Sequence, residues 1–495
     1  MIKKTEGFMS TINIDDGIDV PPLHSTPIGS VSDVAQLINT SDSKNSYARW
    51  IVFLALGGVF LDAYDLTTLS YGIDDVVKDF SLTPTLTGFV ASSIMLGTIV
   101  GNLLGGWLTD KYGRYSVFMA DMLFFVVSAI AAGLAPNVWV LIGARFLMGV
   151  GVGIDLPVAM AYLAEFSKFT GKANKASRVA AWCPMWYAAS SVCFLIIFGL
   201  YFLLPKEHID WLWRASLLFG AVPALLIIAV RSKFMNESPL WAANQGDLSG
   251  AARILRDSYG IQAHEDKEAI AKQVKQTPPK VSFRVLFQKP YRERTIVAGV
   301  MNVCVSFEYT AIAFFLPSIL AQFLGAGVFE TISASLGLNA LFAFTGGLLG
   351  MRLAWKFPSR HVAIAGFALQ FIALVALALI GHPTALIGIV FAILMLGLWL
   401  FAEGFGPGAQ IMIYPSLSYP THIRATGVGF SRSLSGIGSA LALFILPILQ
   451  ATFGTNMFWI VSLSALLPIA FLLVVRFEPT RRDIDDHTEN GEQHV

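Results

Sequence analysis

Apolar runs of about twenty residues follow one another from about residue 48 almost to the end of this 495-residue chain. They leave it few ways to fold, because a hydrocarbon core about 30 Å thick takes roughly 20 apolar residues per helix. Read along the chain they cover about 48–72, 86–109, 115–135, 137–162, 179–203, 212–231, 294–323, 328–353, 362–381, 385–411, 424–450 and 455–476. Hydrophobic residues are 55% of the chain, charged residues 14%, and the mean hydropathy is +0.64. An ordinary soluble domain is excluded. The expected class is an all-α membrane protein of twelve spans. The net charge of +1 gives no global basic field for nucleic acid, and no zinc or P-loop spacing is present. Cys183, Cys193 and Cys304 lie inside apolar runs without metal spacing and read as small buried hydrophobes. No nucleophile–base pair is visible, so neither an enzyme nor a cofactor or metal is expected. The first ~45 residues are polar, so no cleavable signal is expected and the first span directs its own insertion.

Cations test the count. They follow the even-numbered runs: Lys111 and Arg114; Lys168, Lys172, Lys175 and Arg178; Arg231 to Arg294; Arg352, Lys356 and Arg360; Arg424; Arg476, Arg481 and Arg482. The loops after odd-numbered runs hold little beyond Lys78 and Lys206. By the positive-inside rule both termini are cytoplasmic, as an even number of spans requires. A gap of about sixty residues divides the runs into two sets of six. The expected organisation is a tail over 1–47, a bundle over 48–231, a cytoplasmic loop over 232–293, a second bundle over 294–476 and a tail over 477–495. Within the loop, Ser249–Leu255 and Asp266–Gln276 read as surface helices and Thr277-Pro278-Pro279 as a break. Two equal halves suit parallel repeats about an axis along the membrane normal. Arg352–Arg360 occupies in the second half the place of Asp110–Arg114 in the first, without the aspartate.

Four motifs narrow the family. Gly105-Gly106-Trp107-Leu108-Thr109-Asp110-Lys111-Tyr112-Gly113-Arg114 sits between the second and third runs, with Tyr115 where a second cation usually follows. Arg145 begins R-x-x-x-G-x-G-x-G through Gly149, Gly151 and Gly153. Glu237-Ser238-Pro239-Leu240-Trp241 follows the sixth run. Tyr414-Pro415 and Tyr419-Pro420-Thr421-His422-Ile423-Arg424 follow the tenth, with Leu417 at the acidic position. The first resembles the helix 2–3 loop of the major facilitator superfamily, and the others resemble its sugar-porter and aromatic-acid-symporter branch. The resemblance implies the major facilitator fold, two six-helix bundles, and transport of a metabolite with protons across the inner membrane.

Charges inside the runs are costly, roughly 2.5–3.5 kcal/mol each at a span centre, and so mark function. Asp62 and Asp65 lie three apart on one helical face of the first run. Two close carboxylates in a low dielectric are not both ionised cheaply, which suits a proton carrier. Sugar–proton symporters are similar here, with a helix-1 G-Y-D aspartate paired to the helix-4 arginine. That maps onto Ala63-Tyr64-Asp65 and Arg145, while Asp62–Asp65 matches the D-G-[FY]-D of aromatic-acid symporters except at Ala63. The expected proton-coupling set is Asp62, Asp65 and Arg145, with a static ion pair as the competing reading. Asp155, beside Pro157, reads as a substrate or proton contact or as satisfaction of a proline kink. Asp110, Arg114 and Glu165 form the expected cytoplasmic gate.

Substrate contacts are expected from Trp186, Glu308, Asn339, Trp399, Glu403 and Arg432. Arg432 is the counter-ion for an anion or else pairs with Glu403. Trp182, Trp186 and Tyr187 around Pro184 either line an organic-solute site or pack. Asn339 and Gln370 also read as helix–helix hydrogen bonds. The helix-7 Gln-Gln-x-x-Gly-x-Asn of sugar porters is missing at Met301–Ser306, and span five lacks the G-x-x-x-G-P of drug antiporters. A small organic metabolite remains, and Arg145 and Arg432 favour an organic acid, with aromatic acids one option among several. The expected partners are that small molecule, protons and the lipid bilayer, with no nucleic acid, and the chain is expected to act as a monomer. The competing class is a passive sugar or polyol facilitator, or a transporter-like nutrient sensor.

Overall fold

A computed structural model describes residues 25–40, 46–165, 175–205, 211–266, 282–324 and 328–481. The cations Lys168, Lys172, Lys206 and Arg482, most of the expected helix over 266–276, the Thr277–Pro279 break and the tail from 483 lie outside the described residues.

The described chain is almost entirely helix. Ten helical segments are long and apolar enough to cross a bilayer: Leu86–Tyr112, Arg114–Gly133, Val138–Glu165, Lys175–Leu203, Leu212–Phe234, Arg292–Phe314, Ile332–Leu353, Ser359–Ile380, Leu386–Ser416 and Gly454–Val474. With the long helices Ser46–Phe80 and Arg424–Phe453 they make the twelve expected spans, numbered here in chain order. The fold is that of an all-α membrane protein, and its spans follow the apolar runs closely. Span one overshoots its run because Ser46–Phe80 continues past the apolar stretch into an acidic last turn.

Local chemistry sets the helix ends. Span two begins at Pro84, with the Thr83 hydroxyl accepting from the Leu86 amide, a proline-first N-terminus with its cap. It ends at Gly113, whose φ of +99° lets the chain enter span three within one residue. Close approach explains the glycines where spans cross. A Cβ on Gly97 would lie 2.1 Å from the Phe146 carbonyl oxygen, and one on Gly101 2.2 Å from that of Val150. A Cβ on Gly149 would lie 2.1 Å from the Ile94 carbonyl oxygen. The glycine series of span four is thus a backbone-to-backbone seam with span two, the small-residue packing that lipid-embedded helices favour. The second half repeats it: a Cβ on Gly346 of span eight would meet the Phe401 carbonyl oxygen of span ten at 2.3 Å.

The halves meet along spans two and eleven and along spans five and eight. Gly106 faces the Ala425 carbonyl, Gly429 faces that of Asn102, and Gly347 fits against Pro184. Ahead of span one, Thr26–Ile28 pairs in parallel with Ala263–Glu265 of the central loop. The helix Val31–Thr40 buries Val34, Ala35 and Ile38 and packs on the loop helix Pro239–Asn244. Part of the expected polar tail is therefore an ordered strap, because those residues recur on one helical face.

Candidate functional site

Between the halves lies a central cavity with about 760 Å³ of empty space, walled by spans one, two, four, five, seven, ten and eleven. A second chamber of about 580 Å³ shares Leu66, Met95, Trp186, Tyr309 and Thr310 with it and extends past Ser70 and Asn339. Span seven winds as a π turn over Thr310–Phe314 and span eight over Asn339–Ala343. Both π turns contribute to the chamber wall, a common position for such bulges.

Span five supplies an aromatic face. The Trp182 and Trp186 rings stand edge-to-face at 5.9 Å, and Trp186 and Tyr187 meet Tyr309 of span seven at 6.3 and 6.5 Å. Trp186 Nε1 donates to the Tyr309 hydroxyl at 2.7 Å, crossing between the halves. Trp182 Nε1 and Asn102 Oδ1, both on cavity-lining residues, have no hydrogen-bond partner. Opposite, Arg432 of span eleven donates through one terminal nitrogen to Ser435 Oγ at 2.7 Å, and its Nε has no partner. Ser435 also contacts Ser306, and Thr310 bonds Ser439 at 2.8 Å, so hydroxyls line the wall between spans seven and eleven. Glu403 lines the cavity and accepts from Gln370 Nε2 at 2.8 Å rather than pairing with Arg432.

Other expected contacts lie off the cavity wall. Glu308 is buried behind it and accepts from Trp399 Nε1 at 3.2 Å, so these two serve each other. Asn339 borders the second chamber while donating to the Ser335 carbonyl at 2.9 Å. Asp155 points away, 3.3 Å from the Arg231 guanidinium, and packs where a Cβ on Gly58 would sit. Asp62 and Asp65 are buried in span one, below the cavity surface. The expected Asp65–Arg145 side-chain pair does not form. Arg145 instead donates to the Asp65 backbone carbonyl at 3.1 Å, and its Nε and one terminal nitrogen have no partner.

The Asp110 turn closes one end of the molecule. Asp110 is buried and accepts from the Thr426 amide and hydroxyl at 2.7 and 2.8 Å and from the Ala425 amide at 3.3 Å. These are free donors in the first turn of span eleven, so a carboxylate of one half caps a helix of the other. Arg114 reaches Asp110 at 3.2 Å, Glu165 at 2.6 Å and the Thr421 carbonyl at 3.1 Å. Arg424 joins Glu165 at 3.6 Å, finding in the first half the acid that Leu417 does not supply. Glu237 completes the set by accepting the Arg114 and Tyr115 amides at 2.8 and 3.1 Å, capping span three. Glu478 does the same for the Ser359 and Arg360 amides of span nine at 3.1 and 3.2 Å. At the opposite end the closure includes one cross-half hydrogen bond, Ser70 Oγ to the Phe314 carbonyl at 2.9 Å.

Sequence reasoning passed over Asp121, Arg231, Glu478 and the hydroxyls of spans seven and eleven. Asp121 lies inside an apolar run, so the rule that singled out Asp62 applied to it as well. Arg231 looked like an interfacial cation because its run ends there, whereas the helix continues to Phe234 and buries it.

Comparison with known proteins fits this geometry. The family model for sugar (and other) transporters matches residues 34–489. The inner membrane metabolite transport protein YgcS of Escherichia coli is 30% identical over 440 residues, 88% of this chain and 91% of that protein. The niacin transporter NiaP of Acinetobacter baylyi is 26% identical over 455 residues, 90% of this chain and 97% of that one. In fold, the chain is similar to the major facilitator superfamily proton:xylose symporter XylE bound to 6-bromo-6-deoxy-D-glucose, with a TM-score of 0.74 at 18% identity, covering 89% and 98% of the two chains. The chain is a multi-pass inner-membrane transporter, not an enzyme, and belongs to the sugar (and other) transporter family of the major facilitator superfamily.

Proposed function

We propose that this protein takes up a small organic acid together with protons by alternating access. The observation that carries the acid is Arg432. It borders the cavity opposite an aromatic wall, and no carboxylate of the described residues lies within ion-pair distance of it. A planar acid would set its carboxylate on Arg432 and its apolar body against Trp182 and Trp186, with Ser306, Ser435 and Asn102 serving other polar atoms. Span one supplies the proton-carrying carboxylates, Asp62 and Asp65. The Asp110 end faces the cytoplasm with both termini, the protein works as a monomer, and residues ~48–231 rock against ~294–476 about the cavity.

A sugar is the second reading, because XylE is named a xylose symporter. Proteoliposomes with an imposed pH gradient, offered labelled aromatic and aliphatic carboxylates, pentoses and polyols, separate the two. The expected result is gradient-driven accumulation of a carboxylate, abolished by Arg432→Gln and by Asp65→Asn. Accumulation of a pentose or polyol without any acid would refute the acid. Equal filling with and without the gradient would identify a passive facilitator, and no uptake of any solute would leave the sensor reading.

A further inference from the structure

We infer that the proton is stored in a buried cluster of the first half, Asp62, Asp121 and Asp155 around Arg231. The inference rests on the proton-coupled reading for its use in transport, but the cluster is defined by geometry alone.

Spans one, three, four and six each bring one member. Asp62, Asp121, Asp155 and Arg231 are all 0% exposed. Arg231 lies 3.3 Å from Asp155 and 3.9 Å from Asp121, with the Phe118 ring 4.1 Å from the guanidinium carbon on another side. Asp155 packs over Gly58, one helical turn before Asp62 on the same face of span one. Among the described residues neither oxygen of Asp62 has a hydrogen-bond partner.

Charge balance then decides. Three carboxylates share one guanidinium, and each uncompensated buried ion costs several kcal/mol even after relaxation. Asp62, one turn along span one from the Gly58–Asp155 contact, has no donor of its own among the described residues. The charged groups that act on it are Asp155 from span four, Asp65 on its own helix, Asp121 from span three and Arg432 from span eleven. Span five, also packed along span one, presents Cys193 to the Tyr64 carbonyl, two residues on, rather than to Asp62. Apart from the guanidinium, the available way to balance the set is to hold hydrogen between carboxyl groups.

The test uses the intact wild-type protein, purified in detergent without any gradient. Dicyclohexylcarbodiimide attacks protonated carboxyls in apolar surroundings, and mass spectrometry locates the adduct. We expect the label on Asp62 or Asp121, falling as the pH is raised; a label confined to Asp65, or none on the cluster, would overturn the inference. Infrared spectroscopy of the protonated-carboxyl band gives a second reading. Asp62→Asn and Asp121→Asn should each lower it, and the double variant little further, since members share hydrogen as a unit, while Asp65→Asn should remove only a separate component that both cluster variants keep. A band indifferent to both cluster substitutions would also reject the site. Should one variant fail to fold, wild-type labelling still decides. Failure of the proteoliposome assay with a labelled cluster would count against coupled uptake and not against the storage site.

Discussion

The turn between spans two and three and its counterpart between spans eight and nine share one local device and differ in what they reach. Each turn leads into a helix whose first amides are capped by a glutamate beyond the last span of its half, Glu237 and Glu478. In the first half a cross-half network is built on that base. Asp110 caps span eleven, and Arg114 ties Glu165, Asp110 and the Thr421 carbonyl together. In the second half Arg360 stays at home, donating to the Leu472 and Leu473 carbonyls at the end of span twelve at 2.6 and 3.4 Å. The capping glutamate occurs in both halves, and the cross-half network is built on the first. At that end of the molecule, the turn of the first half reaches across to the second half, and Arg360 of the second half bonds within its own half.

The sharpest way to break this comparison is to remove the two arginines. Arg114→Ala strands Glu165 without its main partner and should cost roughly 3–5 kcal/mol, read as a large fall in thermal stability with lost uptake. Next comes Asp110→Ala. It removes three bonds to span eleven, and roughly 1.5–3 kcal/mol of bias toward the closed Asp110 end should disappear. Cysteines placed around that end should then react faster with a membrane-impermeant maleimide; an unchanged labelling pattern would show that Asp110 is not the latch.

Glu237→Ala and Glu478→Ala test the part held in common. Each should lower stability by about 1 kcal/mol, the cost of a lost helix cap, and the two should agree within a few tenths. A much larger loss at Glu237 would mean that it belongs to the latch rather than to the repeated scaffold. Smallest of all should be Arg360→Ala, about 0.5–1 kcal/mol for a cation at a helix C-terminus, with transport intact. If Arg360→Ala instead matched Arg114→Ala, the asymmetry would be wrong.

The sequence determined the spans and the division into two sets of six, and it brought forward Arg432 as a charge inside an apolar run and Glu165 as one at the end of a run. Each of these follows from a local rule: hydrocarbon thickness sets helix length, and charge in an apolar run is too costly to be idle. Tertiary structure decided which charges meet. Asp62, Asp121, Asp155 and Arg231 come from four different spans, and nothing in residue spacing says that they share one buried pocket while Arg145 turns to a backbone carbonyl. Likewise, Arg424 finds Glu165 across the halves. Helix periodicity fixes the face a residue occupies along its own axis, but only the packing of helices fixes what that face meets.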